Sequence, residues 1–168
     1  MRKLLVVLVS IFVVGTVDAQ IKVAYINSNK VLDTLPSRKA AIKELQEFNA
    51  AAEKELTDLD SELQKAYEKY VKESGTLSQV LKQYEEERLQ KMQANIQARE
   101  QELQERLQRR SNDLNAPILK ILQTAVENVS VRQKLNYVLD ETQLLYSKGG
   151  TDITNEVINE ALKLDVKK

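Results

Sequence analysis

Carboxylates, lysines, hydroxyls and tyrosines are the side chains left for catalysis in this 168-residue chain, which contains no Cys, His or Trp. Histidine general bases, thiolate nucleophiles, disulfides and zinc sites with imidazole or sulfur ligands are thereby removed. Asp58 and Asp60 come nearest to a catalytic pair, but they lie in a densely charged, helix-forming stretch that implies no pocket, so neither is assigned a catalytic role. The four glycines, Gly15, Gly75, Gly149 and Gly150, form neither a dinucleotide-binding nor a P-loop frame. The chain reads as a non-enzyme that uses no nucleotide, metal or other cofactor. Its 25 basic residues balance 25 acidic ones, so no net field draws it to nucleic acid or anionic lipid.

The elements that would carry any binding surface follow from the hydrophobic pattern. Arg2-Lys3, the apolar run from Leu4 to Val14 and Val17-Asp18-Ala19 together read as a signal peptide over residues 1–19, cleaved after Ala19. The remainder is expected to be exported and soluble, because no later run approaches the ~20 apolar residues that span a bilayer. Without Cys it cannot be a lipid-anchored lipoprotein.

Beyond the leader, composition separates a middle from two ends. Residues 37–114 are charged and rich in Gln, with only Ile42, Val71, Val80 and Ile96 as β-branched apolar residues; residues 20–36 and 115–168 carry fourteen Val or Ile. The middle is built for helix, and the ends together for a small body containing strands. From Ile42, alternating steps of three and four reach Leu45, Asn49, Ala52, Leu56, Leu59, Leu63, Ala66 and Tyr70, a heptad seam. Ser74-Gly75-Thr76 then makes a turn. The returning stretch repeats every eleven residues: Leu81, Met92, Leu103, Leu114 and Ala125, with Ile96, Leu107, Ile118 and Val129. A seven-residue and an eleven-residue period cannot interlock ideally along their whole length, so some looseness is expected. Ser37 to Glu73 and Ser78 to Leu114 each span about 55 Å as helix. Asn115-Ala116-Pro117 is expected to break or kink the second one.

The ends supply a foot for this hairpin. Residues 21–26 read as a strand and Ser28 to Thr34 as a short helix, with Leu35-Pro36 leading into the long arm. Ile118 to Val131 continues helically. Leu135 to Leu139 and Leu144 to Tyr146 read as strands joined by a tight turn at Asp140-Glu141-Thr142, and a last helix follows with Thr154 as its cap and Ile153 stapled to Ile158. The fold class is α+β, mostly α. So small a body leaves open strand edges, which copies of itself would cover, and Val23, Tyr25, Val138, Leu139, Leu145 and Tyr146 are the candidate assembly residues. On the arms, the apolar residues off the seams are Phe48, Tyr67, Val71, Val80, Tyr84 and Leu89, the candidates for contact with a client. Tyr70 and Tyr84 are more simply explained as caps on the hairpin seam, and the runs Glu85 to Arg88 and Arg106 to Arg110 as solvated helix surface.

Leader, strand, long helical hairpin, two strands and last helix, with Val23-Ala24-Tyr25-Ile26-Asn27 near the start and Val138-Leu139-Asp140, Tyr146 and Asp152-Ile153-Thr154 near the end, resemble the Skp (OmpH-like) periplasmic chaperones. The resemblance covers essentially the whole chain beyond the leader. It implies a jellyfish-shaped homotrimer in the periplasm, with a β-strand body and tentacles that hold unfolded outer-membrane β-barrel proteins without ATP. This sequence departs from the family in charge: family tentacles are commonly strongly basic, whereas residues 37–76 hold 7 basic and 9 acidic residues and 77–114 hold 7 of each. That near-neutrality argues against binding to lipopolysaccharide. The alternative reading is a coiled-coil envelope adaptor that binds one folded partner.

Overall fold

The computed structural model describes residues 21–166; the signal peptide expected over residues 1–19 lies outside them. Strand β1, Val23–Ile26, is followed by the short helix α1, Ser28–Thr34, and the long helix α2, Pro36–Glu73. Leu35 stays extended ahead of Pro36, as a residue before proline must, and Pro36 opens α2 where its missing N–H costs nothing. After the turn, helix α3 runs from Gln79 to Gln133, started by the Ser78 side chain accepting from the Leu81 N–H. Strand β2 is Tyr137–Asp140, strand β3 is Thr151–Asp152, and helix α4 is Thr154–Asp165.

Pro117 does not interrupt α3. Proline inside a helix costs about 3 kcal/mol. Here Ile118, Ile121, Ala125 and Val129 just beyond it are all buried, and packing of that face holds the turn in place. The Asn115 side chain donates to the Ser111 carbonyl on the turn before the proline, at 2.8 Å. One unbroken helix therefore runs from the hairpin tip into the foot, and the backbone changes state at neither residue 114 nor residue 115.

The sheet also differs from the expectation. Its order is β2-β1-β3, with both pairings parallel. Parallel strands need a long crossover, and the connection from β1 to β2 is the hairpin itself. Leu144 to Tyr146 is not a strand; β3 pairs with β1 instead. The Asp140 carboxylate explains the departure by accepting from the N–H (3.0 Å) and hydroxyl (2.9 Å) of Thr142, which winds Glu141–Gln143 into a 3-10 turn and steers the chain away from β2. Gly150 then lets the returning chain pass close to Tyr25, since a Cβ there would stand 3.1 Å from the ring.

The core gathers α1, the first turns of α2, the last four turns of α3 and the buried face of α4, with Val31, Leu35, Val129, Ile153 and Val157 fully enclosed. Between Ile42 and Pro117, only Leu103 is buried among the described residues. Thr154 does not cap α4 but is its first residue. Ile153 holds the cap position without a side-chain bond, and Asp152 before it receives the first helical N–H: its carboxylate accepts from the Thr154 N–H (2.9 Å) and hydroxyl, and the hydroxyl oxygen in turn accepts from the Asn27 N–H (3.0 Å). Those two bonds from Thr154 hold the Asp152 carboxyl below the usual carboxylate range. A carboxylate so lowered stabilises the fold above its unfolded pKa, and the gain disappears as pH falls through the folded value. Asp152→Ala is expected to cost about 1 kcal/mol in a thermal melt at neutral pH. The deficit relative to the unaltered protein should shrink in acid, whereas a pH-independent deficit would rule out the carboxylate as the group that holds the first turn of α4.

Candidate interaction surfaces

Two surfaces remain uncovered in the single chain. The first is the outer face of the sheet. Strand alternation turns Ala24, Ile26 and Val138 toward the core and Val23, Tyr25, Tyr137 and Leu139 outward. Of the six candidate assembly residues, Val138 therefore packs on the core. Val23, Leu139, Leu145 and Tyr146 are exposed, with Leu145 wholly in solvent, and Tyr25 is half-buried. Tyr137, 59% exposed, was missed by the sequence reading although its alternation with Val138 and Leu139 could have shown it. A hollow of about 680 Å³ between β1 and the segment after β2 is lined by Val23, Tyr25, Leu139, Leu144 and Tyr146. Parallel sheets are almost always covered on both faces, and this one is covered on one.

The second surface is the hairpin. Its seam runs through Leu45, Ala52, Leu56, Leu59, Leu63, Ala66 and Tyr70 on α2 and through Met92, Ile96, Leu103, Leu107 and Leu114 on α3, all at least half-buried. Near the foot Ile42 (44% exposed) and near the tip Leu81 (51% exposed) fall off it, as two mismatched periods require. Polar pins set the arms' register. Arg99 grips Glu55 through Nε (2.6 Å) and Nη2 (3.1 Å) and reaches Glu102 with Nη1 (2.6 Å). The hydrogen bond from Arg99 holds the Glu55 carboxyl below its ordinary range. Arg110 pairs with Glu44, and the Tyr70 hydroxyl donates to Glu86 (2.5 Å), which pushes the phenol pKa up. No sequence signal marked the partners that cross between the arms, Arg99 with Glu55, Arg110 with Glu44 and Tyr70 with Glu86, because each pair joins residues of different helices.

The client-contact candidates divide. Tyr67, Val71, Val80 and Tyr84 are all more than half exposed and lie in the outer part of the hairpin. Leu89 is half-buried and lines a groove with Leu63 and Tyr67, and Phe48 is half-buried beneath the Arg106 guanidinium, 5.9 Å from the ring centre. Of the two tyrosines read as seam caps, Tyr70 lies at the seam and Tyr84 faces solvent. The charged runs form pairs along α3, such as Arg88–Glu85 and Arg109–Glu105, except that Arg110 and Arg106 reach across to Glu44 and Phe48 on α2. Among the described residues there is no cluster of acidic side chains suited to a metal, and no helix long and apolar enough to cross a membrane.

Comparison with known proteins agrees with this architecture. The chain is similar to the Skp chaperone protein of Photorhabdus laumondii, 25% identical over 150 residues that cover 89% of this chain and 90% of that one. It is also similar to the Skp chaperone protein of Vibrio cholerae, at 26% over 158 residues, covering 92% and 91%. The crystal structure of an OmpH-like protein from Caulobacter crescentus superposes with a TM-score of 0.76 over 89% of this chain and 87% of that one, which at 20% identity shows a shared fold. The family profile described as outer membrane protein (OmpH-like) matches residues 22–160, and the chain belongs to that family.

Proposed function

We propose that this protein is a periplasmic, ATP-independent holdase that encloses unfolded outer-membrane β-barrel proteins between the arms of a homotrimer and keeps them from aggregating. The observation that carries the reading is the hairpin: two helices of which only Leu103 is buried between Ile42 and Pro117, standing off a foot that holds nearly all of the core. Such arms, about 57 Å long, are far larger than their own seam needs. The relatives named as Skp chaperones, matched over nine-tenths of their length, support the same role. The half-covered sheet supports assembly through the foot, with Val23, Tyr137, Leu139 and Tyr146 against a second copy.

The physical mechanism needs no nucleotide. Before insertion a barrel strand exposes apolar side chains and unpaired edges that associate in water. Enclosure keeps clients apart through many weak contacts, and release follows because folding in the membrane is more favourable than their sum. The test is generality. Diluted from urea in the presence of this protein, several unrelated barrel proteins should stay clear by light scattering, while their folded forms should not bind. Selective binding of one folded protein would replace this reading with the adaptor.

A further inference from the structure

The two flanks of the hairpin differ in chemistry. On α3, Gln90, Gln93, Gln97, Gln101, Gln104 and Gln108 recur at steps of three and four, which places them on one line of the helix, and every one is exposed. Gln79 and Gln83 extend the line to the start of α3. Beside it, between the arms, lies a groove of about 470 Å³ floored by Leu63, Tyr67 and Leu89 and edged by Gln64, Gln90 and Gln93. Its one charged lining residue, Glu86, accepts from the Tyr70 hydroxyl. The other flank carries more charge: its hollows are lined by Glu87, Arg88 and Lys91 beside Tyr84 and Met92 toward the tip, and by Glu44, Glu47, Arg106 and Arg110 around Phe48 toward the foot. Most of those charges already hold partners, as in Arg88–Glu85, Arg106–Glu102 and Arg110–Glu44.

We infer that the glutamine line and the groove beside it form the face of the hairpin that holds client, as an extended stretch of unpaired main chain. The inference rests on the holdase reading above and names what that site recognises. A glutamine amide both donates and accepts and carries no charge, so it matches a peptide group of any sequence. An unfolded barrel strand presents such groups unpaired, together with apolar side chains on alternate positions. The line would meet the first and the Leu63–Tyr67–Leu89 floor the second. The charged flank is less suited, because a neutral client segment would have to displace ion pairs already formed.

The chain's lack of cysteine makes the test clean. Single-cysteine variants Gln93→Cys and Gln101→Cys on the amide flank, and Lys91→Cys and Arg109→Cys on the charged flank, are labelled with a benzophenone photocrosslinker and mixed with a urea-unfolded barrel protein. Crosslinking to client should be several-fold greater from the glutamine positions. Equal or reversed yields, or crosslinks from the glutamine positions only to another copy of this chain, would overturn the inference. In a second variant, Gln90, Gln93, Gln97, Gln101 and Gln104 all become Ala, a stronger helix former, so the arm stays helical. Client affinity should fall about tenfold, with far-ultraviolet circular dichroism and native mass unchanged. Unchanged affinity would equally overturn it. Failure of the unaltered protein to suppress client aggregation would instead sink the holdase reading, so the two failures are told apart.

Discussion

Removal of residues 57–70 together with 84–97 is expected to leave the oligomer intact and abolish protection of unfolded barrel proteins. The cut is set by the register of the arms. Glu55 faces Arg99 and Glu44 faces Arg110, so the two deleted stretches lie opposite each other and the Arg99 pin survives. Each arm loses about 21 Å of helix. The deletion keeps the heptad phase of α2 and the natural turn at Ser74–Gly75, and it takes away Tyr67 and Leu89 with the groove around them, and Tyr84 on the opposite flank. None of the enclosed core residues is touched. Native mass spectrometry should report the same subunit count as the full-length protein, while light scattering of a urea-diluted barrel protein should rise as if no chaperone were present. A shortened protein that keeps the client clear at the same molar ratio would show that the foot, and not the arms, does the holding.

Leu35→Ala is the second large effect, and it falls on stability. Leu35 is fully buried at the junction of α1 and α2, where the chain leaves the foot for the arm. Truncation removes three carbons from a fully enclosed site in the core of the foot and leaves a cavity there. The expected loss is roughly 3 kcal/mol, or about ten degrees in Tm, followed by circular dichroism at fixed protein concentration. Tyr84→Ala, exposed on the arm, should shift the melt by less than about 0.5 kcal/mol. Comparable shifts for the two would mean that the arms carry as much stabilising contact as the foot, contrary to the placement of the core.

The contrast between those two residues follows from how the chain distributes its apolar groups. On the arms the seam is one residue wide on each helix and remains half-buried, so single changes there alter surface more than stability. In the foot four helices and a sheet converge, and Val31, Leu35, Ile153 and Val157 lose all contact with water.

What the sequence determined by itself was local. The heptad from Leu45 to Tyr70, the eleven-residue period through Met92, Leu103 and Leu114, the turn at Gly75, the proline at the head of α2 and the bounds of α1 all follow from spacing and backbone preference within a few residues. The tertiary structure decided whatever depended on distant partners. Residues 144–146 and 151–152 could each have paired with a neighbour; the turn made by the Asp140 carboxylate and the close passage at Gly150 gave the edge of β1 to Thr151–Asp152. Pro117 carries a strong signal to end a helix, yet burial of Ile118, Ile121 and Ala125 against the foot outweighs it. The register of the arms was equally hidden, since two seams of different period admit several alignments and the partners that select one, Arg99 with Glu55 and Arg110 with Glu44, are 44 and 66 residues apart. Propensity and periodicity act along the chain, whereas pairing and burial act across it, and only the folded molecule brings the second kind of interaction into being.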